Sequence, residues 1–432
     1  MSDPVFIAGL VFLFGLVTGM PIAFALIAAG FLGIMAARGF DVALSALMSM
    51  PYAKATDFGL VTIPLFILMG AFATSAGVSE KAYQLAYRFV GHLRGGLAIT
   101  TVFACACFAA TSGSSVATSA AVGKIAFAEM GRYKYNDAIS AGTVASAGLL
   151  GIMIPPSIMF VVYGIVTQVD IGRLLLAGIL PGILTALVFC IGLYFLAYFR
   201  PDLMPVANER FTWKEKFVGL RDGWRIAALF AVVVGGIYTG FFTATESAAV
   251  GAIVAFIMSI AVHGFDRKNL SSAARDAAGI CAMIFLILIG AGLLSQFVAI
   301  AGLATSLATA ISSSSLSREA ILALILLMYI PLGMFLEPIS MCLITLPIVV
   351  PAIKSLGYDP VWFGVLMVKM SELANITPPV GVNLFVIKGI RPDLSLTTVF
   401  KGASFFVFLE IITLALLVFF PSISLFIPNL MS

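Results

Sequence analysis

The sequence predicts an all-α polytopic membrane protein, on three observations: an apolar composition, runs long enough to cross a bilayer as helix, and an internal repeat. Of 432 residues, 61% are hydrophobic and 10% charged, with a mean hydropathy of +1.13. A soluble domain of this size cannot hide so much apolar surface. Ala277–Val298 and Val399–Phe420 each offer about 20 residues of apolar helix, and the period-two alternation of a barrel is absent. The start, MSDPVFIAGL, carries Asp3 and lacks a basic n-region, so no cleaved leader is expected.

The elements of the first half follow in order. Crossings are expected at 4–19, 22–37 and 58–77, with 38–57 connecting the last two. A polar, amphipathic arm (79–94, EKAYQLAYRFVGHLRGG from Glu80) would lie along the membrane surface with its basic face in water. Two short apolar arms at 95–111 and 115–130 flank TSGSSVAT. At about 16 residues they are short for spanning, so a re-entrant hairpin is favoured over two full crossings. A crossing broken at IPPS (154–157) and a long one (173–199) complete the half, which gives five crossings plus the hairpin.

The chain then repeats. At a shift of 221, Gly15, Thr18, Gly19 and Gly30 fall on Gly236, Thr239, Gly240 and Gly251, and at 220 IPLFILMGAF (63–72) falls on MIFLILIGAG (283–292). At 223, Tyr135 falls on Tyr358 and Pro155–Pro156 on Pro378–Pro379. The same unit therefore occurs twice, with a second hairpin at 319–334 and 338–354 and a second break at TPPV (377–380). This divides the chain into 1–78, an arm 79–94, 95–199, a linker 200–223, 224–298, an arm 299–316, and 317–432.

An odd number of crossings per half inverts the second repeat. With the N-terminus outside, inside segments hold 16 of the 24 Lys and Arg, outside segments hold 5, and Lys124, Lys369 and Lys401 lie within helices. That bias places both termini outside and the linker inside. The first hairpin then opens to the inside, the second to the outside, and the two tips should meet near mid-membrane.

Two adjacent prolines remove two amide donors and break a helix, which in lipid leaves carbonyls without partners. The first break is expected to free the carbonyls of Gly151 and Ile154, and the second those of Ala374, Asn375 and Thr377. Such oxygens, with the hydroxyls of the facing tip (Thr111, Ser112, Ser114, Ser115 and Thr118), are hard ligands suited to a dehydrated sodium ion. Each break should face the tip of its own half. Amides that resume the helix after Pro156 and Pro379, with Ser157 and Asn383, suit a carboxylate between the two sites. A kink satisfied by neighbouring Ser or Thr is the blander alternative.

The second tip, GMFLEPIS (333–340), carries Glu337, either a functional carboxylate or a cap of the arm that follows. Lys369 and Glu372, at i and i+3, read first as a neutralising pair and second as substrate contacts. Glu246 and Ser317 read as helix caps, Lys124 as a snorkelling side chain, and Glu410 as a deep acid that meets a partner helix. The five cysteines lie in apolar segments without ligand spacing, and His92 and His263 suit interfacial anchoring. No nucleophile, base and acid set argues for an enzyme, no continuous polar stripe for a channel, and the dispersed net charge of +4 does not indicate nucleic acid.

With SGSSVAT, GIMIPPS, EP followed by LPI, and TPPVGVNLF in place, the chain resembles, over its whole length, the large membrane (M, DctM-like) subunit of tripartite ATP-independent periplasmic (TRAP) transporters. The resemblance implies a bacterial inner-membrane, sodium-driven importer of organic acids such as sialic acids or C4-dicarboxylates, with scaffold and transport parts that work as an elevator. It implies a periplasmic substrate-binding protein and a small four-helix Q subunit as partners, besides membrane lipid. No helices precede Val5, so Q is expected as a separate chain. One sodium ion is implied at Ser112, Ser115, Gly151, Ile154 and Pro156, and a second near Gly333, Glu337, Thr377 and Pro379. Ser114, Thr118, Ser157, Asn375 and Asn383 remain the substrate candidates. A self-sufficient sodium and divalent-anion symporter of similar architecture is the rival reading.

Overall fold

Capping residues, glycines and prolines divide this apolar chain into helices, and the computed structural model describes residues 3–207, 209, 211–379 and 381–430, with the main chain alone at Asp222, His263, Ala308, Ala310, Ile311 and Ser312. The expected anchoring by His263 and the positions of Arg210 and Val380 lie outside what is described. The first half runs through α1 (Pro4–Val17), α2 (Ile22–Arg38), α3 (Phe40–Ala55), a 3-10 turn (Phe58–Val61) into α4 (Thr62–Ser75), and α5 (Val78–Val90). The hairpin of α6 (Gly96–Ser112) and α7 (Ser115–Arg132) follows, then α8 (Asp137–Ala147), α9 (Leu150–Met153), α10 (Ile158–Thr167), α11 (Ile171–Ala177) and α12 (Ile179–Phe199). The helix α13 (Trp213–Asp222) joins the halves.

The second half begins with α14 (Trp224–Phe230), which passes through a π turn (Ala231–Gly235) into α15 (Gly236–Tyr238). Next come α16 (Ala244–His263), α17 (Arg267–Ile300), α18 (Leu303–Ser313), and the hairpin of α19 (Arg318–Phe335) and α20 (Pro338–Ser355). The chain ends with α21 (Pro360–Asn375), α22 (Val382–Ile390), α23 (Leu396–Phe419) and α24 (Ser422–Asn429). No strand occurs among the described residues, and the all-α expectation holds.

The helices repeat in order at an offset close to that of the sequence, and their packing is reciprocal. α2 packs on α17 while its counterpart α16 packs on α4, the counterpart of the second part of α17. Gly30 and Gly251 make this possible. A Cβ on Gly30 would stand 2.7 Å from the Leu294 amide nitrogen, and one on Gly251 would stand 2.6 Å from the Met69 Sδ. In the same way α10 packs on α20 and α22 on α7, so the helix after each break lies against the hairpin of the other half.

Several boundaries differ from expectation. The connection 38–57 is largely the helix α3, because its Ala, Leu and Met content favours helix even with Pro51 inside. The linker 200–223 carries α13, opened by a capping box in which Thr212 and Glu215 satisfy each other's amides. Arg267–Ile300 is one helix of 34 residues, so the polar start of this segment continues the apolar run, and the second arm begins only at Leu303. The hairpin arms have 17, 18, 18 and 18 residues; the first has its expected length, and the other three are longer than expected by one or two residues.

Seven described helices are long and apolar enough to cross a membrane, or eight with the pair Asp137–Met153 and Ile158–Thr167, which bends by 42°. Two of the seven, α19 and α20, are the arms of the second hairpin, joined at Leu336–Glu337. The expected crossings at 4–19 and 22–37 are realised as helices of 14 and 17 residues, the first shorter than expected and the second one residue longer.

Gly30→Ala should destabilise the protein by about 1–3 kcal/mol, and more than Gly251→Ala, because the Leu293–Leu294 main chain cannot yield as the Met69 side chain can. Melting of the two variants in detergent checks this, with the larger drop expected for Gly30→Ala.

Candidate functional site

Both prolines pairs interrupt their helices as expected, and each break faces the hairpin tip of its own half. In the first, α9 ends at Met153 and α10 starts at Ile158. The Ser157 hydroxyl donates back to the Ile152 carbonyl (2.5 Å) and accepts from the Phe160 amide (3.4 Å), so it replaces part of the lost helix bonding. The Ile158 amide donates to the Gly113 carbonyl of the tip (3.4 Å).

Tip 1 is turned by Gly113, whose φ of +63° is costly for residues with a Cβ. A Cβ there would also stand 2.8 Å from the Pro156 carbonyl, and one on Gly151 would stand 2.5 Å from both the Ser114 carbonyl and the Thr118 hydroxyl. Two glycines thus bring the tip and the break into main-chain contact. Behind the tip, the Ser112 and Thr118 hydroxyls share a hydrogen bond (2.7 Å), and Thr118 donates to the Ser114 carbonyl (2.8 Å). The result is a compact set of hydroxyl and carbonyl oxygens without an acidic side chain.

In the second half, α21 ends at Asn375 and α22 starts at Val382. The Thr377 hydroxyl donates to the Leu373 carbonyl (2.6 Å). The Thr377 amide donates to the Ala374 carbonyl (3.1 Å), so this carbonyl, expected to be freed, keeps a partner by a tightened last turn. Tip 2 approaches the break through Gly333, where a Cβ would stand 2.5 Å from that of Ala374. Glu337 caps α20, accepting from the Ser340 amide (3.0 Å) and hydroxyl (2.9 Å). The capping reading of Glu337 is therefore realised geometrically, as it is for Glu246 and Ser317.

A cavity of about 580 Å³ is lined by both tips. Tip 1 contributes Ser112 to Ala117, tip 2 contributes Glu337 to Ile339, and the breaks contribute Ile158, Asn375 and Val382. The first turns of α7, α10, α20 and α22 all reach it, so four positive helix ends converge on one space. No Lys or Arg is among its lining residues. An anion in this cavity would be held by main-chain amides and hydroxyls.

Of the predicted site residues, Ser112, Ser114, Ser115, Glu337 and Asn375 line the cavity. Gly151, Ile154, Pro156, Gly333, Thr377 and Pro379 stand outside its lining, in or beside the breaks. Thr118, Ser157 and Asn383 are fully buried, and their side chains bond to protein groups. Asn383 donates to the Ala145 carbonyl (3.1 Å) and the Ser119 hydroxyl (3.4 Å), joining the second break to the first half. The sequence reading missed Asn269, Ser272 and Asp276 of α17, which form one wall. Their spacing of i, i+3 and i+7 was the available signal, a polar helical stripe just before the apolar run Ala277–Val298.

A sequence model of the tripartite ATP-independent periplasmic transporter DctM component matches residues 9–423. The C4-dicarboxylate TRAP transporter large permease protein DctM of Pseudomonas aeruginosa is 37% identical, over 86% of each chain. The sialic acid TRAP transporter large permease protein SiaM of Vibrio cholerae is 30% identical, over 96% of each chain. The crystal structure of the Alcanivorax borkumensis YdaH transporter has a similar fold, with a TM-score of 0.57 at 16% identity over 90% of each chain.

If the cavity is wet, a cysteine at Val116, which is 42% exposed on its wall, should react with a water-soluble maleimide at least about tenfold faster than the fully buried native Cys105. The comparison is made with the other native cysteines removed, and equal labelling would show a dry site.

Proposed function

The chain belongs to the DctM family of TRAP transporter large permeases, and from that premise we propose that it imports an organic acid by sodium symport, with an elevator movement of its hairpin-bearing part. The observation that carries this reading is the convergence of both tips and both breaks on one cavity. Four helix N-termini suit the carboxylate of the substrate, and the nearby hydroxyl and carbonyl oxygens suit sodium.

Sodium is read here as co-transported cargo. One ion would be held by Ser112 and Ser115 with the main chain of Gly151, Ile154 and Pro156. The other would be held near Gly333, Glu337, Thr377 and Pro379. The oxygen set around tip 1, drawn together by Gly113 and Gly151, supports the first assignment. Ser114 and Asn375, on the cavity wall, are the direct substrate candidates, while Thr118, Ser157 and Asn383 position the tip and the breaks.

The relatives are described as carrying C4-dicarboxylates and sialic acid, and we extend only the shared class, an organic acid, to this chain. The cavity reaches Thr74, Ser75, Asn269 and Asp276, beside segments that the basic-residue count places inside. On that count the cavity opens to the cytoplasm, both termini face the periplasm, and the host membrane is the bacterial inner membrane. Both relatives are called large permease proteins, which supports a small Q subunit as a separate chain and a periplasmic binding protein as the donor of substrate.

In vesicles holding the permease and its small subunit, uptake should require both sodium and the binding protein. Uptake without any binding protein would favour the self-sufficient symporter, and uptake indifferent to sodium would refute symport. Ser115→Ala and Thr377→Val should each raise the sodium concentration for half-maximal uptake several-fold, about 1 kcal/mol per lost hydroxyl ligand, an effect larger than either has on folding. An unchanged sodium response in both variants would contradict the site assignment.

A further inference from the structure

A second polar cluster lies within the helices, away from the cavity lining. Lys369 Nζ contacts Glu372 Oε2 (2.8 Å), Glu410 Oε2 and the Thr185 hydroxyl (2.9 Å). Lys369, Glu372 and Glu410 are all fully buried. One ammonium thus faces two carboxyl groups, and with all three ionised the cluster would carry a net charge of −1. Glu372 Oε1 and Glu410 Oε1 are also buried and meet no hydrogen-bond partner. An uncompensated charge in such a place is strongly disfavoured, and carboxyl groups that share a dry site relieve it by keeping a proton.

The surroundings supply no other compensating charge. Lys369 makes its ion pairs with Glu372 and Glu410. Of the charged side chains on the helices packed around the cluster, Asp137, Arg173, Arg318, Glu319, Lys354 and Lys401 are exposed, and Lys388 bonds to the Pro392 and Leu394 carbonyls. Nor does the architecture require the cluster. At the repeat shift of 223, Lys369 and Glu372 correspond to Ser146 and Leu149, so the first half builds its broken helix without an ion pair at this place.

We infer that Glu372 and Glu410 hold one proton between them, which makes this cluster a buried proton-binding site of zero net charge. The proton belongs to the pair rather than to either residue. The site joins α12 of the first half to α21 and α23 of the second, and Glu372 lies one turn before Asn375 on the cavity wall. Neutrality lets α21, buried along its length, run to the break without a stranded charge.

Infrared spectra of the full chain in nanodiscs, taken at a pH well above the ordinary glutamate range, test this through the carbonyl stretch of protonated carboxyl groups. The parent should show that band in sodium and in potassium buffer alike. Glu372→Gln and Glu410→Gln should each lose one carboxyl's share of it, because the remaining carboxylate then pairs with Lys369 alone. Unchanged bands in both variants would mean that both glutamates are ionised, and a band present only without sodium would mean that a metal ion takes the proton's place. Either result overturns the inference.

Discussion

Main-chain polar groups inside a bilayer must find partners within the protein or in enclosed water, and this constraint governs the rest of the structure. Two helices buried along their lengths, α9 and α21, end just before Pro155–Pro156 and Pro378–Pro379. At each break a hydroxyl bonds to a carbonyl of the preceding turn, Ser157 to Ile152 and Thr377 to Leu373. The hairpin tips bring further polar groups to the breaks, and glycines at 113, 151 and 333 permit the approach. Positive potential comes to the cavity from helix ends in place of basic side chains, and the carboxyl groups of Glu337 and Asp276 share its lining.

The repeat explains how one solution serves twice. Reciprocal packing of α2 on α17 and α16 on α4 frames the molecule, while α10 and α22 cross to the opposite hairpin. The halves nevertheless differ where chemistry enters. Tip 1 offers Ser and Thr oxygens, whereas tip 2 offers Glu337 as a cap. The pre-break helix is uncharged along its buried length in the first half and carries the Lys369 cluster in the second.

Much of this was legible in the sequence, for physical reasons. Adjacent prolines, capping residues and a Tyr to Pro-Pro spacing kept in both halves are local signals, and they located the breaks, the tips and the reciprocal units. Lys369 and Glu372 could be paired because i and i+3 share a helix face. The bonds from Asn383 to Ala145 and from Lys369 to Glu410 were illegible, since tertiary packing alone brings such distant residues together. The α17 wall was missed because a polar stripe beside an apolar run reads equally as a surface segment. Helix α3 was missed because its apolar positions lack the length of a crossing.

The central claim is that the tips and breaks form a site for sodium. Melting of the purified chain in sodium and in potassium chloride at equal ionic strength tests it most directly, because a ligand that binds only the folded state raises the melting temperature as its concentration rises. The account predicts a rise with sodium that potassium does not reproduce; superimposable curves in the two salts would contradict it.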